Sequence, residues 1–452
     1  MSESSLCPAL IISAPASGAG KTTVTAAIAQ YHRQQGKRVR IFKTGPDFID
    51  PMILRCASGH PVYQLDLWMV GLAQCQALLF EASQQADLIL IEGVMGLFDG
   101  NPSTADLSEA FNIPVMAVID ASAMAQTFGA VAAGLAQYRP GLPFAGVMAN
   151  RVAGKLHGDM LAASLRPQEK LLGCIYRDPA IQLPERHLGL MQAKELADIE
   201  QQLQLAASQI ATTELAQLPA QCRFVAPTEI APHLTGSLSG MRIAVAQDLA
   251  FNFLYQANLD VLTQAGANVC WVSPMTDTAL PAHIDACYLP GGYPELYASQ
   301  LAANTAFKNS LLAAANQGIP ILAECGGLLY LLEQLTCDSG DVHTMAGILL
   351  GAGTMHTRVS AVGQQGIRLD DLALSTAEGV TLGPELRGHS FHYSSAHIHC
   401  QQIGQAYTHP YQRPGELIYC HNNIMASYMH WYFPSNPQFF IAWFKRQLTA
   451  TV

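Results

Sequence analysis

The chain has 452 residues, half of them hydrophobic and 13% charged, with a formal net charge of −10 at pH 7. That length exceeds one ordinary core and predicts two or more well-buried domains, while the acidic balance argues against non-specific nucleic-acid binding. No apolar run reaches the ~18 residues of a membrane span, the start MSESSLCPALIIS lacks the basic and long apolar segments of a signal peptide, and 11 cysteines without a C-x-x-C pair predict reduced thiols in a cytoplasm rather than a disulfide framework or zinc site.

In chain order, the first half alternates strand and helix signals. Ala9–Ser13 is an apolar strand, and Thr22–Gln35 a helix ended by Gly36. Val39–Phe42, Leu88–Ile91, Val115–Ile119 and Phe144–Met148 are short apolar runs bounded by Gly, Pro, Asp or Asn. Such runs between helices predict buried parallel strands of a doubly wound sheet. A helical Ala/Gln-rich region is expected at about Leu188–Leu218, followed by the Gly/Ser cluster Gly236–Gly240 as linker. The boundary is placed near Ser239, giving domains 1–238 and 239–452. The alternation then restarts: strand Arg242–Ala246, helix Phe251–Ala265, and strands Asn268–Val272, Ala286–Leu289 and Ile319–Ala323. Beyond Ala346 the pattern is strand-rich.

Ala14–Thr23 reads APASGAGKTT after a strand and opening a helix, the context of a phosphate-binding loop. Gly18 and Gly20 let backbone N–H groups approach phosphates, Lys21 would reach the β- and γ-phosphates, and Thr22, followed by Thr23, would hold Mg²⁺. The pattern departs from the usual loop, with Pro15 and Ala14 where glycine is expected. Two segments end neighbouring strands: FKTGPDFIDP, with Asp47 and Asp50, and LIEGVMGLFDG, with Glu92 and Asp99. Carboxylates at strand C-terminal ends are natural Mg²⁺ ligands or substrate-positioning groups. Loop caps or turns are the alternative, above all for Asp99-Gly100.

Later, ILAECGGLLYL places Cys325 between a strand and a helix, with Gly326 and Gly327 behind it. A tight turn of this kind is expected to push the sulfur out of the core, with the helix N-terminus lowering the thiol pKa. LPGGYPE ends another strand in a glycine pair, so Gly292 and Gly326 are candidate oxyanion donors. His430, in NIMASYMHWYF, is the candidate base.

These motifs resemble the cobyrinic acid a,c-diamide synthase family, a branch of the class I glutamine amidotransferases, over nearly the whole chain. TGPDFIDP, EGVMGLFDG, AFNFLYQANL, LPGGYPEL, AECGG and GHSFHYS carry the resemblance. It implies two α/β domains, each a doubly wound, mainly parallel sheet: a dethiobiotin-synthetase-like P-loop ATPase and a class I amidotransferase. It implies Cys325 as glutaminase nucleophile and His430 as its base. Asp47, Asp50 and Asp99 would position the substrate, and Thr22, Asp47 and Glu92 would bind metal. Asn150 matches a base-reading asparagine of similar ATPases, with a turn asparagine as the alternative. Implied co-substrates are ATP and L-glutamine, with Mg²⁺. The substrate would be cobyrinate, amidated at its a and c acetates, or a related tetrapyrrole (hydrogenobyrinate, nickel-sirohydrochlorin). No nucleic acid or membrane partner is implied, and a homodimer is compatible.

Two departures stand out. His430 is followed by Trp431-Tyr432 instead of Pro-Glu, so a Cys–His pair is expected without a third carboxylate. Ser390 replaces the usual glutamate of the G-H-E-F-H-Y-S pattern, which leaves His389 and His392 as either site residues or hydrogen-bonded sheet histidines. A P-loop ATPase switch of the chromosome- or septum-positioning kind would leave the Cys325 region unexplained. A chain with an inactive amidotransferase half would not need Cys325, Gly326, Gly327 and His430 intact.

Overall fold

The computed structural model describes residues 3–183, 185, 186, 189, 190, 195, 198–228 and 234–451. The chain divides into two compact units, Met1–Ala231 and Pro232–Val452.

The first unit holds an eight-stranded sheet. Its strands are β1 (Ser4–Ser13), β2 (Val39–Lys43), β3 (Tyr63–Gln64), β4 (Leu88–Glu92), β5 (Val115–Asp120), β6 (Phe144–Val152), β7 (Leu171–Tyr176) and β10 (Gln221–Val225); β8 (Glu185–Arg186) and β9 (Gly189–Leu190) form a separate pair. The order is β3-β2-β4-β1-β5-β6-β7, parallel throughout, with β10 antiparallel on the early part of β1. β4 is fully buried and β5 nearly so, which is why both read as unbroken apolar runs. Helices α1 (Lys21–Gln34), α2 (Ile49–Ser58), α3 (Leu72–Gln85), α4 (Thr104–Phe111), α5 (Thr127–Gln137) and α6 (Lys155–Ser164) fall between strands. β1 lies between β4 and β5, so the strand order reverses at its end, where open α/β sheets bind ligands. Within the expected helical stretch Leu188–Leu218, α7 spans Ile199–Ile210 and buries Leu203, Ala206, Ala207 and Ile210. Leu188 itself lies outside the described residues.

The second unit holds a ten-stranded sheet of order β12-β11-β13-β14-β24-β23-β22-β18-β20-β25. Its parallel part comprises β11 (Arg242–Ala246), β12 (Asn268–Val272), β13 (Ala286–Leu289), β14 (Ile321–Glu324) and β24 (Ile424–Ser427). It continues antiparallel through β18 (Ala361–Arg368), β20 (Glu385–His392), β22 (Gln401–Thr408), β23 (Pro414–His421) and β25 (His430–Trp431). β15 (Gln334–Thr336), β16 (Val342–Thr344), β17 (Gly351–Met355) and β21 (Ser394–Ile398) form a small sheet, and β19 (Leu374–Thr376) pairs β26 (Leu448–Ala450). The helices are α8 (Gln256–Gln264), α9 (Ala298–Ala303), α10 (Thr305–Asn316), α11 (Gly326–Leu331) and α12 (Pro437–Phe444).

Residues Phe251–Tyr255, expected to be helical, form a loop, and α8 begins only at Gln256. Asp248 takes the N–H groups of Ala250 and Phe251, while Asn252 and Phe253 donate to the Gly291 carbonyl at 3.1 and 3.0 Å. Phe253 is thereby bridged to Gly291 in an extended path that lies over the Gly291-Gly292 pair, and helical bonding starts only at Gln256. Among the described residues no helix is long and apolar enough to cross a membrane.

Candidate active sites

In the first unit β1 runs into the loop Ala14–Gly20. Gly18 and Gly20 sit at φ of 78° and 92°, left-handed conformations that favour glycine. Gly20 caps α1 without a side chain, and the first turn of α1 carries no acidic residue. The first N–H groups of this helix are thereby offered to an anion. Lys21 Nζ reaches back to the Met95 carbonyl at 2.7 Å and the Ala16 carbonyl at 3.2 Å. Burial, then repulsion by Lys43, lowers its pKa to about 8, a cost that phosphate charge would offset. Asn150 donates to the Ala19 carbonyl at 2.9 Å, so its side chain lies against the phosphate loop.

A cavity of about 600 Å³ opens over this loop, a volume in the usual range for small-molecule sites. Gly18, Gly20, Lys21, Thr22, Thr23, Asp47, Asp50 and Asn150 line it, all singled out by the sequence. Lys43, Ser122, Arg151, Tyr176 and Arg177 line it as well, and these the sequence reading missed. Lys43 is the most consequential. It lies 2.6 Å from Glu92 Oε1, 2.5 Å from Asp50 Oδ2 and 3.5 Å from Asp47 Oδ2, with only 2% of its side chain exposed. Lys43 and Glu92 end adjacent parallel strands in register. Opposite charges at the ends of two apolar runs were the available signal.

Burial works against every charge in this cluster, and the pairing decides which survive. Lys43 loses by burial, yet Asp50, Glu92 and Asp47 hold its pKa well above the ammonium value. Asp50 likewise opposes burial but is held below the usual carboxylate range, chiefly by Lys43. Asp47 is raised by burial and then by Asp50, although 23% of its side chain is exposed and solvent moderates the rise. Glu92, fully buried, is raised by burial against the pull of Lys43.

Thr22 Oγ1 donates to Glu92 Oε1 at 2.9 Å, and the other Glu92 oxygen is buried without a hydrogen-bond partner. Hard oxygens so placed beside a phosphate loop suit magnesium. Among the described residues no group of three His, Cys, Asp or Glu is placed to hold a metal ion. Asp99 has a more local task, accepting from the Gly96 N–H at 3.0 Å to close its loop.

Replacing Lys43 by methionine should strand these carboxylates. Lys43→Met is expected to lower stability by about 3–5 kcal/mol, as for breaking one side of a buried ion pair, read by chemical denaturation, and to weaken nucleotide binding in calorimetry.

In the second unit β14 stops at Cys325, whose φ of 45° and ψ of −102° mark a strained elbow. The Cys325 N–H donates to the Ser427 carbonyl at 2.8 Å, which ties the elbow to the end of β24. A Cβ on Gly326 would lie 2.9 Å from the Gly292 nitrogen, and one on Gly291 would lie 2.2 Å from His430 Cε1. The Gly291-Gly292 turn is therefore wedged between the cysteine elbow and the imidazole. The Gly292 N–H sits against Gly326, an arrangement that an oxyanion hole would need.

His430 is buried and stacks on His389, with ring centroids 4.8 Å apart and planes 18° off parallel. Tyr255 OH lies 2.8 Å from His389 Nδ1, so His389 backs the candidate base. Burial, then His389 and His392, holds the His430 pKa well below the histidine value.

The expected outward, acidified thiol is not what the structure shows. Cys325 is 5% exposed, and burial pushes its thiol up, helped by Glu295 and Glu416. The six-residue α11 is too short for its dipole to outweigh that desolvation.

Glu324, immediately before the cysteine, was also missed. It accepts from Tyr288 OH at 2.9 Å and from the Trp431 N–H at 3.1 Å, so it anchors the strand that carries His430. Burial raises its pKa from 4.5 to about 8. Between those values the folded chain keeps a proton that the unfolded chain releases, so stability is lost as pH rises through that window. Glu324→Gln should flatten the slope of unfolding free energy by up to about 1.4 kcal/mol per pH unit, measured by denaturant titration across the same window.

Fold and sites together define a P-loop ATPase unit joined to a glutamine-amidotransferase unit. Residues 10–190 match the CobQ/CobB/MinD/ParA nucleotide binding domain, and residues 242–438 match the CobB/CobQ-like glutamine amidotransferase domain. Over 432 residues the chain is 52% identical to the hydrogenobyrinate a,c-diamide synthase of Stutzerimonas stutzeri, covering 95% of this chain and 97% of the relative. The protein of the same name from Pseudomonas aeruginosa is 49% identical over 432 residues, 96% of each chain. The cobyrinate a,c-diamide synthase of Herminiimonas arsenicoxydans is 44% identical over 429 residues, 95% of this chain and 94% of the relative. The chain belongs to the CobQ/CobB/CbiA family, with an ATPase domain followed by an amidotransferase domain.

Proposed function

We propose that this chain is a carbon–nitrogen ligase that amidates the a and c acetate carboxylates of a cobyrinate-type corrinoid, driven by ATP and supplied with nitrogen from glutamine. Residues 1–238 would form the synthetase domain and residues 239–452 the amidotransferase domain. The observation that carries the reading is the pairing in one chain of an open phosphate loop above the Lys43 cluster with a strained cysteine elbow beside a buried imidazole.

A carboxylate has no good leaving group, so the acetate oxygen attacks the γ-phosphorus and ADP departs, leaving an acyl phosphate. The N–H groups at the start of α1, with Lys21, hold the phosphates in place, and Asn150 would fix the nucleotide beside the loop. Magnesium held by Thr22 and Glu92, with Asp47 adjacent, would supply further neutralisation of phosphate charge. Asp47 and Asp50, oriented by Lys43, would position the incoming acetate, with Asp99 shaping the loop beside them. Ammonia then attacks the acyl carbon, and phosphate leaves as the amide forms.

The ammonia comes from glutamine. His430 takes the Cys325 proton as sulfur attacks the side-chain amide, and the Gly292 and Gly326 N–H groups stabilise the developing oxyanion. Ammonia leaves, and water hydrolyses the thioester to glutamate.

Within this chemistry the 52% and 49% identities to proteins named for hydrogenobyrinate, against 44% for one named for cobyrinate, support the metal-free macrocycle ahead of the cobalt form. Incubation with ATP, glutamine and each macrocycle, with mass spectrometry of the products, tests this. Two mass shifts of one amide each are expected, faster on the metal-free compound, and no amidation of either would refute the assignment.

Cys325→Ser should abolish glutamine-dependent synthesis and keep synthesis from ammonium salts, measured as product amide. Asp47→Asn should do the reverse, losing amide formation while glutamate release from glutamine persists.

A further inference from the structure

On β20, Ser390 and His392 point to one face, toward Glu416 on β23. Ser390 Oγ donates to Glu416 Oε1 at 2.8 Å, and His392 Nε2 lies 2.9 Å from the same oxygen. His392 Nδ1 lies 2.8 Å from the Ser394 carbonyl, and the Ser394 hydroxyl donates to Tyr428 OH at 3.1 Å. The Tyr428 ring stacks on His392, with centroids 3.8 Å apart and planes 12° off parallel. Tyr428 follows Ser427, whose carbonyl holds the Cys325 N–H, and it shares a buried cluster with Cys325. Position 390 lacks the glutamate expected from the motif, yet a carboxylate does reach this strand from across the sheet.

The protons of this network are constrained. A carbonyl only accepts, so Nδ1 carries a hydrogen. A carboxylate facing Nε2 can bond to it only through one further proton. Whichever atom holds that proton, the two side chains together are neutral. This matters because Glu416 is among the charges that oppose ionisation of the Cys325 thiol, after burial and Glu295.

We propose that His392 and Glu416 form a charge-balanced positioning pair for the glutaminase step, in which His392 cancels the carboxylate that would otherwise hinder proton loss from Cys325. This rests on Cys325 acting as the glutaminase nucleophile. The thiol is also faced by Glu324 from β14, Glu295 from the turn after β13 and Tyr428 after β24, with His430 on β25 across the Gly291-Gly292 turn. His392 itself is faced by Glu416 and Tyr428 and lies within electrostatic reach of His430. Neither member of the pair is a catalytic residue.

The test is the pH profile of kcat/KM for glutamate release by the full chain. His392→Asn should move the rising limb up by about one pH unit and lower neutral-pH kcat/KM about tenfold, the scale set by one nearby unpaired charge. His392→Gln guards against loss of fold: its amide can still donate to Glu416 but brings no charge, and it should show the same shift. Glu416→Gln should leave the limb near that of the unmodified chain, because the pair is neutral before and after. The double variant His392→Asn/Glu416→Gln should return the limb to that position. Iodoacetamide alkylation of Cys325 against pH, with Cys325→Ser as background, should follow the same pattern. A limb unmoved in both His392 variants, or a double variant as shifted as His392→Asn, overturns the pair while glutamine hydrolysis stands. No glutamate release by the unmodified chain would instead remove the glutaminase reading and the pair with it.

Discussion

A charge taken out of water must be met by an opposite charge or by hydrogen bonds, and the Lys43 ammonium beneath the phosphate loop is where this constraint is most severe. Its side chain is almost fully buried, and three carboxylates converge on it, from the loop after β2, the start of α2 and the end of β4. The cluster exists because β2 and β4 run parallel and in register, so that Lys43 and Glu92 finish together at the edge of the cavity. Thr22, at the start of α1, bonds to the same Glu92 oxygen and ties the phosphate loop to it. Loop, cation and carboxylates are therefore one electrostatic unit, and none keeps its geometry without the others.

The same constraint governs the second unit in a different form. There the Cys325 sulfur is buried, and burial and nearby carboxyl groups both push its pKa up. The Gly291-Gly292 turn leaves no room for a side chain on either face, and the cysteine elbow and the imidazole close on it from opposite sides. Burial likewise holds the His430 imidazole well below the usual histidine range. Glu324 and His389 hold that imidazole from behind, the first through the Trp431 N–H and the second through ring stacking.

Much of this was legible in residue order, because strand–turn–helix units are local. Apolar runs bounded by Gly, Asp and Asn located β2, β4, β5 and β11 to within a residue. SGAGKTT and AECGG announced their turns through glycines that the backbone there requires. The helix expected from Phe251 failed for a nonlocal reason: Phe253 bridges to Gly291, which holds this stretch extended. Lys43 went unnoticed because its importance lies in partners that are 4, 7 and 49 positions away.

The sequence by itself determined where the chain turns, which turns can approach phosphate or carry a nucleophile, and which family pattern these follow. Those properties depend on glycine freedom and apolar periodicity over a few neighbouring residues. Only the tertiary structure decided which charges meet and with what sign they act: Lys43 with Glu92, Glu416 with His392, and a thiol pushed up rather than down. Desolvation and Coulomb attraction are set by atoms that the fold brings together from distant positions, and no local stretch contains that information.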